Sequence, residues 1–134
     1  MLPAQLQVEY EALERIAHPN VVHLAAHGPD PIAERDLYYI FMEVAEGGEL
    51  FERVMKKTML TEDEAGPLFS QMVSAVAAAH SAGVAHRDLK LENFVLSRSD
   101  EVKLIDFGLS HLYELDETGA VDRSVPLRSL SGSK

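Results

Sequence analysis

The sequence predicts an α+β fold on three observations. Apolar residues at helical spacing open the chain, two β-rich apolar runs follow at 37–44 (LYYIFMEV) and 102–105 (VKLI), and between those runs a capping box at Thr61 starts a long amphipathic helix. Helix, strands, helices and then small hairpins succeed one another along 134 residues, a length that suits one domain.

The elements are read in order. Residues 4–17 place Leu6, Tyr10, Leu13, Ile16 and Ala17 on one helical face, and Pro19-Asn20 ends the helix because the residue before proline avoids the α region. Val21-Val22-His23-Leu24 has the pattern of a short buried strand, and His27-Gly28-Pro29-Asp30-Pro31 predicts a turn. The run 37–44 reads as a strand covered on both faces, broken by Gly47-Gly48, with a short helix over 49–56. Thr61 and Glu64 cap a helix that carries Leu68, Phe69, Met72, Val73, Val76 and Ala79 and stops at Gly83, with Pro67 distorting it slightly. The strand at 102–105 leads into Asp106-Phe107-Gly108, and the serine-rich, basic stretch 123–134 reads as a mobile loop or tail.

Composition narrows the function. A hydrophobic content of 46% supports a buried core, and 12 basic against 22 acidic side chains give a net charge of −10. That charge argues against generic binding to nucleic acid or anionic membranes, whose phosphates need Lys and Arg. Cysteine is absent, which excludes disulfides, thiolate catalysis and cysteine-ligated metals, and makes the cytoplasm the expected compartment. No apolar run is long enough to span a bilayer, and the start lacks the pattern of a secretory signal. His18, His23, His27, His80 and His111 show no metal-ligand spacing and are assigned to packing or the surface.

One constellation carries chemistry. His86-Arg87-Asp88-Leu89-Lys90-Leu91-Glu92-Asn93 is followed, thirteen residues after the asparagine, by Asp106-Phe107-Gly108. Asp88, Asn93 and Asp106 offer hard oxygen atoms of the kind that hold Mg²⁺ jointly with substrate phosphates, and Lys90 is a cation two residues from Asp88. Such a group can orient a hydroxyl and steady charge on a transferred phosphoryl group. Asp-Phe-Gly alone is a common turn and His-Arg-Asp alone a charged loop; in this order and spacing, with Lys90 and Asn93 at their offsets, the signal is specific.

These motifs resemble the eukaryotic protein kinases over nearly the whole chain. HRDLKLEN is similar to the catalytic loop and DFG to the magnesium motif. Glu9 stands nine residues before His18-Pro19-Asn20, as the ion-pairing glutamate of the family's helix C does. The segment from Tyr39 to Ala45 resembles the strand that enters the hinge, with Met42 in the gatekeeper place. The DLKxEN form resembles the Ser/Thr class, and GGELFERV is similar to calcium/calmodulin-dependent-like kinases.

The resemblance implies a two-lobe kinase fold present in part: helix C and N-lobe strands in 1–44, a hinge at 45–48, the upper C-lobe in 49–110 and the start of the activation segment in 111–134. It implies ATP and Mg²⁺ as cofactors and a protein substrate. Asp88 would accept the hydroxyl proton, Lys90 would steady the γ-phosphate, and Asn93 and Asp106 would hold magnesium. The backbone of Glu43 and Ala45 would bind adenine between Met42 and Val95, and Glu49 would reach the ribose. Leu13, Leu24, His86 and Phe107 would stack as a spine, which is indistinguishable from core packing. Glu49 could equally be a solvated carboxylate favoured by the helix dipole, and Glu9 one of three surface carboxylates with Glu11 and Glu14.

The family pattern is absent in two places. No GxGxxG loop or Val-Ala-x-Lys strand precedes Glu9, and no Ala-Pro-Glu follows Ser129. Three readings follow: a Ser/Thr protein kinase seen as a fragment, with feeble or no transfer by the isolated chain; a pseudokinase-like module that binds ATP or a protein without turnover; and a small-molecule phosphotransferase. The first is the expectation.

Overall fold

Helix α1 (Ala4–Arg15) forms where the apolar spacing predicts it, burying Ala12 and Leu13 with Ile16 just beyond. A computed structural model describes residues 4–29, 37–56, 60–122 and 124. The chain leaves α1 through a turn in which Val21 donates its N–H to the carbonyl of His18 (3.1 Å) and Asn20 donates its N–H to His18 Nδ1 (3.0 Å). Arg15 pins the end of α1 by donating to the carbonyls of Gly83 (3.1 Å) and Tyr113 (2.8 Å).

Strand β1 (Leu24–Pro29) pairs antiparallel with β2 (Tyr38–Met42), Leu24 opposite Met42 and His27 opposite Ile40. This corrects three expectations. The strand begins at Leu24; Val21 makes only a parallel bridge to Leu104, because its neighbours Asn20 and Val22 bond that residue instead of a partner strand. His27, Gly28 and Pro29 continue β1 rather than turning, since β2 supplies a ladder partner for each; Asp30 and Pro31 lie outside the described residues. The run 37–44 is not covered on both faces: a two-stranded sheet leaves Phe41 60% and Met42 40% exposed.

Gly47 presses on the next sheet, donating its N–H to Leu96 O at 2.8 Å, and Gly48–Glu49 forms β3. Glu49 therefore belongs to a strand, and the helix expected over 49–56 is α2 (Leu50–Met55). Helix α3 (Glu62–Ser81) carries the predicted box: Glu64 donates its N–H to Thr61 Oγ1 (3.2 Å), and Thr61 donates its N–H to Glu64 Oε1 (3.5 Å). Pro67 lies inside α3, which runs through it unbroken. Gly83 ends this region at φ +76°, a left-handed conformation that glycine adopts without strain.

Beyond it come β4 (Val84–Ala85), a 3₁₀ turn (Leu91–Asn93), β5 (Phe94–Leu96), β6 (Val102–Leu104) and β7 (His111–Leu112). They form the antiparallel sheet β3-β5-β6 and the pair β4-β7. Gln71 of α3 ties these parts together, its Oε1 accepting from Val102 N (2.8 Å) and Asn20 Nδ2 (3.1 Å). The core lies among α1, α3 and β5-β6, with Leu50, Leu96, Leu104 and Phe107 fully buried at roughly 1.5–3 kcal/mol each. On α3, Phe69 and Val73 are exposed, while Leu68, Met72 and Val76 are half-buried against this core. Apart from Ser124, which donates to Asp122, the stretch 123–134 lies outside the described residues.

Candidate active site

The geometry is organised by a buried histidine. His86 follows β4 and donates from Nε2 to the carbonyl of Ile105 (2.8 Å), while its Nδ1 accepts the N–H of Asp88 (3.1 Å). A carbonyl can only accept, so the ring proton sits on Nε2. The ring also meets Phe107 edge-on at 4.8 Å between centroids. Arg87 takes φ +67°, a left-handed turn unusual for a side-chain-bearing residue, and its Nε donates to Leu109 O (3.0 Å).

Asn93, also buried, closes the loop. Its Nδ2 donates to the carbonyl of Asp88 at 2.8 Å and to Asp88 Oδ2 at 3.3 Å. Its own backbone accepts from Ile105 N (2.9 Å) and donates to Lys90 O (2.9 Å). Lys90 Nζ lies 3.9 Å from Asp88 Oδ2, with its side chain 53% exposed and that of Asp88 15% exposed. A cation so loosely paired is available to a second anion.

Asp106 follows β6, exposed, in a left-handed conformation (φ +61°), and its Oδ1 accepts from Gly108 N at 3.4 Å. Backbone strain of this sort is concentrated at functional sites. Helix α1 lies against this turn: a Cβ added to Gly108 would fall 2.7 Å from the Gln5 amide. Glu9, half-buried on the same helix, has its carboxyl pushed above the ordinary range, first by burial and then by the negative charge of Asp106.

The hinge-like residues sit on another edge. Met42 ends β2, and Glu43 follows it, its N–H given to His23 O (3.0 Å) and its Oε1 accepting from His23 N (2.7 Å). Ala45 lies between β2 and β3, and Glu49 stands opposite Val95 in the β3–β5 register. The structure thus joins Asp88, Lys90, Asn93 and, through Ile105, Asp106 in one bonded unit, sets Glu9 within electrostatic reach of Asp106, and pairs Glu49 with Val95. Met42 and Ala45 belong to a different segment, at the end of β2 and between β2 and β3. Leu13 is in the core, Leu24 packs against that core, and His86 meets Phe107 edge-on.

Two residues escaped the sequence reading. His86 is expected in the motif and in the spine, but not in the two bonds that place Asp88 relative to β6. Lys103 carried one visible signal, a cation inside an apolar strand, and it proves nearly buried among acceptors. The oxygen atoms present fit magnesium. With its amide nitrogen committed to Asp88, Asn93 retains its amide oxygen, and Asp106 supplies an exposed carboxylate. Among the described residues no cluster of three or more His, Cys, Asp or Glu forms a metal cage. A sparse oxygen pair matches an ion that keeps waters and shares phosphates.

This fold and this loop define a protein kinase domain, and the chain belongs to that family: the protein kinase domain family matches residues 2–129. Its relatives are Ser/Thr protein kinases. CBL-interacting protein kinase 15 of Oryza sativa subsp. japonica is 44% identical over 113 residues, 84% of this chain. CBL-interacting serine/threonine-protein kinase 9 of Arabidopsis thaliana is 42% identical over 106 residues, 79% of this chain. The Homo sapiens hormonally up-regulated neu tumor-associated kinase is 38% identical over 128 residues, 96% of this chain. The chain spans 25%, 23% and 17% of the lengths of these three relatives.

Proposed function

We propose that this chain serves transfer of the ATP γ-phosphoryl group to serine or threonine hydroxyls of a protein. The observation that supports it is the bonded unit Asp88–Asn93–Ile105, which holds a carboxylate, a cation and two further side-chain oxygens on adjoining backbone. Asp88 accepts the proton of the substrate hydroxyl, and Lys90 steadies the transferred group. Asn93 and Asp106 hold Mg²⁺, which neutralises phosphate charge when bound. The carbonyl of Glu43 and the backbone of Ala45 bind the adenine edge between Met42 and Val95, with Glu49 at the ribose. Glu9 is the helix carboxylate that pairs with a cation near the phosphates. In this reading residues 1–44 and 49–110 are parts of two lobes joined at 45–48, and 111–134 opens the activation segment.

Glu49 and Glu92 flank the peptide side of the loop, so substrates with arginine upstream of the target residue fit best. The acidic excess of the chain, −10 overall, raises the encounter rate with such peptides in a salt-dependent way. Arg87 would pair with a phosphate on Ser129, and Ser133 would support the catalytic loop; both serines lie outside the described residues.

The test is transfer of labelled phosphate to arginine-containing serine peptides by the whole protein as wild type, Asp88→Asn, Glu49→Gln and Ser129→Ala. Label that Asp88→Asn abolishes supports the reading. Nucleotide binding with no transfer by wild type replaces it with a non-catalytic binding role. A Glu49→Gln variant that keeps the arginine preference, or Ser129→Ala at full activity, removes the corresponding part.

A further inference from the structure

Lys103 occupies the middle of β6, its side chain only 11% exposed, and meets three acceptors: Pro19 O at 2.8 Å, Glu43 Oε1 at 3.3 Å and Glu101 Oε1 at 3.3 Å. A buried ammonium is tolerated only when its charge and its three donors are matched, and here they are. Each acceptor comes from a different part of the fold: the turn after α1, the segment after β2, and the approach to β6. Glu43 is held from the other side as well, both its N–H and its Oε1 bonded to His23. In the β5–β6 register Lys103 stands opposite Val95. One cation thus fixes the 42–45 segment relative to the strand bearing Val95.

We infer that Lys103 is a positioning residue for the purine base, and that its clamp on Glu43 makes the site prefer adenine to guanine. This rests on the kinase reading above. With its N–H and carboxylate committed, Glu43 has its carbonyl left to meet the base. A fixed carbonyl accepts from adenine's exocyclic amine and opposes the carbonyl oxygen that guanine carries at the same place. A site built around a hydrogen bond discriminates strongly only while that group cannot move aside. Without Lys103, Glu43 keeps the His23 bonds but loses its tie to β6, and the carbonyl can shift to suit either base.

The experiment measures binding of Mg-ATP, Mg-GTP and Mg-tripolyphosphate, which has no base, to the full chain as wild type, Lys103→Met, Glu43→Gln and Lys103→Arg. Circular dichroism checks folding, and Glu43→Gln carries the test if Lys103→Met does not fold. Lys103→Met and Glu43→Gln should weaken ATP binding roughly tenfold and shrink the ATP/GTP ratio to match, with tripolyphosphate changed by less than about twofold and Lys103→Arg restoring the preference. Equal weakening of all three ligands, as loss of structure alone would cause, overturns the inference. So does an unchanged ATP/GTP ratio in Glu43→Gln while wild type binds ATP. A wild type that binds neither ATP nor tripolyphosphate overturns the kinase reading itself, and this inference with it.

Discussion

The side-chain amide of Asn93 donates to both the carbonyl and a carboxylate oxygen of Asp88, at 2.8 and 3.3 Å. One buried residue thereby orients the proposed base and keeps its own amide oxygen for a cation. Proposed base and proposed metal ligand are mechanically one piece, with different chemical duties.

That separation predicts two phenotypes. In the whole protein, Asp88→Asn should reduce turnover by about 10²–10⁴-fold while largely sparing nucleotide binding, because it removes a proton acceptor and little else. Asp106→Asn should instead weaken magnesium-dependent nucleotide binding. Steady-state kinetics beside equilibrium titration with and without Mg²⁺ reads both, and interchanged phenotypes would overturn the assignment.

Glu9 predicts a pH dependence of stability. Its folded-state pKa is raised above the ordinary 4.5 by burial and by Asp106, so the folded chain favours the protonated carboxyl. The associated stability is fully present below that ordinary value and is lost as pH rises through the raised one. Glu9→Gln should therefore melt at a higher temperature than wild type at neutral pH, the gap closing below about pH 4.5. A Glu9→Gln variant less stable than wild type at neutral pH would contradict this.

Adjacent glycines ahead of α2 should fail for different reasons. A Cβ at Gly47 would lie 2.2 Å from Ser97 O and 2.8 Å from Leu96 O, both backbone atoms, so Gly47→Ala must push the segment off β5, at about 1–3 kcal/mol. Gly48 has open space but φ +85°, and Gly48→Ala should cost about 1–2 kcal/mol through backbone strain alone. Urea unfolding measures the stability of both. Because Gly47 lies next to the residues proposed to bind adenine, only Gly47→Ala should also weaken ATP binding.

Thr61→Ala tests the helix that supports the loop. Losing the cap to the Glu64 N–H should destabilise the chain by about 1 kcal/mol, whereas Thr61→Ser should stay close to wild type. Thermal melts of the three proteins decide it.

Much of this was written in local sequence. The Thr61–Glu64 box and the α1 spacing act within a few residues, and the grouping of Asp88, Lys90 and Asn93 was legible because residue type and offset encode it. The coverage of the strand at 37–44 was not legible: an apolar run looks the same whether one face or both are covered, and only the two-stranded pairing shows Phe41 and Met42 exposed. The glycine and prolines at 28–31 signalled a turn, but pairing with β2 overrode that signal as far as Pro29.

By itself the sequence determined which groups could do chemistry and which segments would be helical, since both depend on residue identity and short-range spacing. Only the tertiary structure decided how those groups are held. His86 reaches Ile105 across 19 residues, Lys103 reaches Pro19 across 84, and Arg15 reaches Tyr113 across 98. Bonds over such separations depend on how the strands and helices pack, and no periodicity along the chain records which distant carbonyl a buried side chain will meet.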